Sequence, residues 1–144
     1  MLFGMAGLLG MTLLWGSCGK YPEGPNFALS SKASRLAGDW IATSVNQSGT
    51  ELNLTNLSVA NSFSKDGTYD AVTTVTVMGV PTPYSSSGTW EFYDKKTKII
   101  TTETAPSNNN IDTLEILMLK KDMLKFKTFD YGSGATFTYI FEPK

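Results

Sequence analysis

From Trp40 to the end of the chain, apolar and polar residues alternate with a period of two, the spacing of strands that bury one face only. The breaks in this alternation carry turn chemistry. Asp66-Gly67, Asp94-Lys95-Lys96, Lys120-Lys121-Asp122 and Tyr131-Gly132-Ser133-Gly134 each separate two alternating runs. Strands are expected at about 39–46, 58–64, 68–78, 88–94, 97–104, 112–119, 123–130 and 135–142. Short links make each strand the antiparallel neighbour of the next. No stretch is long and amphipathic enough for a substantial helix. Residues 30–36 are expected to form a single helical turn, with Ser30 or Ser31 as N-cap.

Parity sorts the faces. Tyr69, Ala71, Thr73, Val75 and Val77 share one face of the third expected strand, and Trp90 and Phe92 one face of the fourth. In the last two strands Leu124 and Phe126 align, as do Phe137, Tyr139 and Phe141. One apolar face per strand implies a single interior. Closing eight strands on themselves removes the edges that an open sheet would present for aggregation. The expected fold is therefore all-β, an antiparallel up-and-down eight-stranded barrel, with a two-sheet β-sandwich as the alternative. Two longer links, residues 79–87 and 104–111, stand out among the tight turns. The first holds Pro81, Pro83 and Tyr84, which suits a lid or a contact with a protein partner.

Ahead of the strands, Met1 to Ser17 carries no charge and ends at Cys18, the only cysteine. A bilayer-spanning helix needs about 20 apolar residues, and this shorter run fits the apolar region of a signal peptide. Leu14-Trp15-Gly16-Ser17-Cys18 resembles a bacterial lipobox, with small residues just before the cysteine. The organisation expected is a lipoprotein signal peptide at 1–17, lipid attachment at Cys18, a Pro- and Gly-containing tether over 18–34, and one β-domain at 35–144. Resemblance to Gram-negative lipoproteins implies that Gly19, following the acylated cysteine, permits export to the outer membrane, on its periplasmic or cell-surface face.

Composition removes several functions. The 144 residues include 12 basic and 13 acidic side chains with no basic block, which disfavours nucleic-acid binding. There is no histidine, so Ser-His-Asp and Cys-His catalysis and histidine metal sites are excluded. The carboxylates Asp66, Asp70, Glu91, Asp94, Glu103, Glu115 and Asp122 are assigned to turns and outward faces, without the facing pair a glycosidase needs. Asn108-Asn109-Asn110-Ile111-Asp112 lacks the ladder of a calcium loop and is read as a polar loop. The expectation is a non-enzyme with no cofactor and no metal.

Three short motifs remain: Arg35-Leu36-Ala37-Gly38-Asp39-Trp40, Asp66-Gly67-Thr68-Tyr69, and Gly88-Thr89-Trp90-Glu91-Phe92. With the lipobox and the tether, they resemble the small lipocalin-like lipoproteins of Bacteroides-like Gram-negative bacteria. The resemblance implies that Trp40 plugs the closed end of the barrel and that the interior binds a small apolar or amphipathic ligand. Gly38 is expected to make room for the Trp40 ring, Gly88 for a ring over bare backbone, and Arg35 to stack on Trp40. Tyr69, Thr73, Trp90, Phe126 and Tyr139 are the candidate ligand-binding residues. The rival expectation is a filled β-domain acting as a non-catalytic interaction or assembly module through 79–87 and 104–111.

Overall fold

The computed structural model describes residues 21–24, 30–107 and 109–144. One short helix, α1 (Lys32–Leu36), leads into β1 (Gly38–Gln47), followed by β2 (Thr50–Glu51), β3 (Leu57–Phe63), β4 (Thr68–Val77) and β5 (Val80–Tyr93). The chain continues through β6 (Lys98–Ala105), β7 (Asn110–Leu119), β8 (Leu124–Asp130) and β9 (Ala135–Pro143). Strands β3 to β9 pair antiparallel in chain order, and β1 pairs with β3 on one side. On its other side β1 pairs with β9, from Trp40↔Pro143 to Gln47↔Phe137, across a bulge between Ala42 and Ser44. That ladder closes the sheet into an eight-stranded barrel of β1 and β3–β9, and the sandwich alternative falls away. β2 is an addition, two residues folded back on the end of β1.

The longer links turn out otherwise than the sequence led us to expect. Residues 80–87 are strand rather than loop: β4 and β5 pair without a break from Thr68↔Thr89 to Val77↔Val80, turning on Met78 and Gly79 alone. Both have positive φ, 51° and 78°, as a two-residue hairpin turn requires. Pro81 and Pro83 marked a loop in sequence, yet β5 meets β6 only from Ser87 onward. The segment before it is a free edge, where a residue without an N–H is tolerated. Likewise β6 runs to Ala105 and β7 begins at Asn110, so the expected 104–111 loop shrinks to residues 106–109. Asp112, where the polar run 108–112 meets the expected strand 112–119, lies on β7 opposite Thr101.

One end of the barrel is packed solid. Leu36, Ile99, Leu119, Leu124 and Phe141 are fully buried there, with Ile116 and Trp40 close behind. Residues 21–24, expected within a tether, dock on this end: the Glu23 N–H donates to the Leu117 carbonyl at 2.8 Å and the Leu119 N–H to that of Gly24 at 3.2 Å. Lys125 adds an ion pair to Glu23 at 2.7 Å. Burial pushes the Tyr21 hydroxyl up to about 12, against the lowering pull of the Arg35 guanidinium.

Helix α1 is capped by Ser31, whose Oγ accepts from the Ser34 N–H at 3.1 Å. It covers the packed end, and Trp40 pins it there by donating its Nε1–H to the Leu36 carbonyl at 2.8 Å. The expected Arg35 stack on Trp40 does not form. Arg35 is buried beside Tyr21 instead, and among the described residues the cations lying over rings are Lys32 on Tyr21 and Lys96 on Phe92. Gly38 is needed for its φ of +148° more than for space, since a Cβ there would sit 3.9 Å from the indole nitrogen. At Gly88 the reason is also different from a ring over backbone. The β6 backbone itself crosses it, at a register shift between Ser87 and Gly88.

Candidate functional site

Above the packed floor the barrel is hollow. Side chains alternate inward and outward along the strands, changing phase at the bulges of β1 and β7, and on β4, β5 and β6 the inward ones in the other half are small: Ala71, Thr73, Ser86 and Thr101. They do not reach the opposite wall, where β8 and β9 present Phe126, Phe137, Tyr139 and Phe141. The result is a cavity of about 610 Å³ with Phe63, Leu114 and Phe141 among its lining. Its mouth lies at the end where β6–β7 and β8–β9 turn, marked by Asn110, Ile111, Asp130 and Tyr131.

The aromatic wall is continuous. Phe126 lies 5.3 Å from both Tyr139 and Phe141, centroid to centroid, and Tyr139 lies 6.1 Å from Phe137. The facing wall is hydroxylic. Burial raises the Tyr69 phenol, hydrogen bonding with Ser86 and Thr101 opposes that, and the nearby Glu103 and Asp112 carboxylates add to it. Tyr139 is raised by burial first and by Asp130 and Asp112 second. The arrangement is an apolar hollow with a few placed polar groups, the usual make-up of a small-molecule site.

Four of the five candidate residues come together here: Tyr69, Thr73, Phe126 and Tyr139 all line the cavity. Trp90 does not. It belongs to the packed core, edge-on to Phe63 at 6.1 Å and to Phe92 at 5.3 Å, with its Nε1–H given to the Ser64 carbonyl at 2.9 Å. Its parity was right and its height along the barrel was not. Cys18, the candidate lipid-attachment residue, lies outside the described residues. Among those described, no group of three or more acidic or cysteine side chains is placed to hold a metal.

The lining residues missed in sequence are the small and the acidic ones. Asp112 shares the inward parity of Leu114 and Ile116, and Asp130 that of Phe126 and Thr128, so extending the apolar stripe by one residue would have found both. Glu103 was assigned outward, yet it continues the stripe of Ile99 and Thr101. Its carboxylate accepts from the Ser107 N–H and the Asn110 side-chain amide, both at 3.3 Å.

No family model matches the sequence, and no curated protein is significantly similar to it. Solved structures do share its fold. Odorant Binding Protein OBP1 superposes with a TM-score of 0.52 at 11% identity, over 81% of this chain and 77% of that one. A bovine odorant-binding protein, in complex with a selenium-containing odorant, gives 0.51 at 14% identity over 84% and 78%. A redesigned β-barrel gives 0.53 at 15% identity over 82% and 99%. The chain is thus a closed antiparallel eight-stranded barrel, a fold it shares with these odorant-binding proteins and with the redesigned barrel.

Proposed function

We propose that this chain is a non-catalytic binding protein whose half-hollow barrel takes one small apolar or amphipathic molecule. The observation that carries the reading is the cavity of about 610 Å³ above a closed floor, within the range of about 300–1,000 Å³ typical of ligand pockets. The hydroxyls of Tyr69, Thr73 and Tyr139 orient the ligand, and Phe126 with the β9 rings supplies apolar contact. Odorant-binding neighbours support it through the shared fold, one of them holding an odorant.

Thr73→Val tests this, because it keeps the side chain's shape and deletes its hydroxyl. In a titration of the full chain with N-phenyl-1-naphthylamine, an uncharged fluorophore, we expect one saturable site. The variant should weaken it by about 0.5–1.5 kcal/mol, one neutral hydrogen bond, and leave stability within about 1 kcal/mol. A stability loss with unchanged binding would make Thr73 a core residue.

We also propose that Cys18 anchors the chain by a lipid to the outer membrane, as in the small lipocalin-like lipoproteins it resembles; support comes from a lone cysteine closing an apolar leader. Cys18→Ser should move the protein from the membrane fraction to the soluble one, and retention in the membrane would end the assignment. A protein-interaction role keeps one point in its favour. The β4–β5 hairpin presents Val77, Met78, Val80 and Tyr84 to solvent, Met78 at 99% exposure.

A further inference from the structure

The charge of the cavity's mouth says more about its ligand than the apolar walls do. Asp112 and Asp130 are the charged side chains among those lining the cavity, and Glu103 lies close enough to act on Asp112. The lysines of the neighbouring strands do not offset them. Lys98, Lys125 and Lys127 are paired with Asp94, Glu23 and Glu115, at 3.5, 2.7 and 3.2 Å.

The barrel wall is also parted where these two carboxylates sit. Strands β7 and β8 pair from Leu119↔Leu124 up to Glu115↔Lys127 and no further, apart from a Thr128 Oγ1–H given to the Thr113 carbonyl at 3.1 Å. Beyond that point β7 still pairs with β6 and β8 still pairs with β9. Both strands are therefore intact, and only the seam between them is open. Continued in the same register, the ladder would set Asp112 against Asp130, and like charges directly opposite oppose pairing. Ile111, Asp112, Thr128, Phe129 and Tyr131 line both the interior cavity and the groove outside it, so the seam joins the two.

Of the two carboxylates, Asp130 is committed to the β8–β9 turn, accepting from the Gly132 N–H at 2.9 Å and the Ser133 hydroxyl at 2.6 Å. Those bonds hold it well in the ionised range. Asp112 accepts no hydrogen bond among the described residues. Burial and the charges of Glu103 and Asp130 raise its pKa, so an added positive charge relieves that site. The ring faces of Phe137 and Tyr139 stand on the wall beside the mouth, and an ammonium group is attracted to such faces as well as to carboxylates.

Resting on the binding role proposed above, we infer that the ligand is a cationic amphiphile. Its ammonium group sits between Asp112 and Asp130 at the parted seam, and its apolar body runs down the ring wall into the cavity. Asp112 and Asp130 thereby set specificity by charge, admitting amines and rejecting acids of the same shape.

Three probes with one eight-carbon chain test this by calorimetry on the full chain at pH 7: octylamine, 1-octanol and octanoate. Octylamine is expected to bind about tenfold tighter than octanol, and octanoate more weakly than either. Asp112→Asn, close in shape, should lower octylamine affinity several-fold more than octanol affinity, and adding Asp130→Asn should bring the two together. Equal affinities for octylamine and octanol in the wild type would overturn the charge assignment while leaving a binding protein. If none of the three binds, the binding role itself fails, and this inference with it.

Discussion

Gly88→Ala is expected to be among the most damaging single substitutions in this chain, lowering the melting temperature by about 10 °C or more. A Cβ at position 88 would lie 2.0 Å from the Thr102 carbonyl oxygen, 2.9 Å from its carbon and 3.0 Å from the Glu103 Cα. All three are backbone atoms of β6, so no side chain can swing away. Relief requires β5 and β6 to separate along a ladder that runs from Ser87↔Ala105 to Tyr93↔Lys98 and carries Trp90 and Ile99 into the core. Overpacking typically costs about 1–3 kcal/mol, and a clash with backbone belongs at or above the top of that range. Against a total stability of about 5–15 kcal/mol the loss is large. Thermal denaturation followed by circular dichroism measures it. A melting temperature within about 3 °C of wild type would mean that β6 does not cross Gly88 as closely as described.

Trp40→Ala comes next, at about 3–5 kcal/mol. The ring is 2% exposed, fills the closed end, and holds α1 through its bond to the Leu36 carbonyl. Truncation removes both effects together. Trp40→Phe separates them: it keeps most of the ring and deletes the donor, at an expected cost of about 1–3 kcal/mol for the partner left unbonded. Urea unfolding of the two variants gives both numbers. Equal losses would show that the hydrogen bond, rather than the packing, secures the closed end. No loss in either would remove Trp40 from its structural role.

Those two positions also show what was legible in the sequence. Parity placed Tyr69, Thr73, Phe126 and Tyr139 on the inward face, because a strand whose interior is buried fixes the side of every residue along it. Parity is silent on height along the barrel axis. Trp90 therefore passed for a cavity residue, although it lies among the core rings below. The pairing of Gly88 with a packing role was sound, but which atoms approach it depends on the stagger between β5 and β6, which no local pattern encodes. Turn chemistry succeeded at Asp66-Gly67 and failed at Pro81 and Pro83. Proline reports a missing donor, and a free strand edge tolerates that as well as a loop does. Asp112 was read with the polar run 108–112 and Asp130 as the last residue of an expected strand, so neither was weighed as part of the lining. The hollow itself came from what was small. Ala71, Ser86 and Thr101 leave space only because the rings of β8 and β9 face them, a relation between strands that closes over a long stretch of chain.

We read the upper half of this barrel as an open site for a small molecule. This is tested most directly by titrating N-phenyl-1-naphthylamine into the full chain and into Ala71→Trp, a variant that places an indole inside the cavity. A cavity of about 610 Å³ has room for that side chain, so the variant should keep the wild-type far-ultraviolet circular dichroism and melting temperature. One saturable site is expected in the wild type, with enhanced and blue-shifted emission, and its loss in Ala71→Trp. No saturable site in the wild type, or unchanged binding in a folded Ala71→Trp, would contradict that reading.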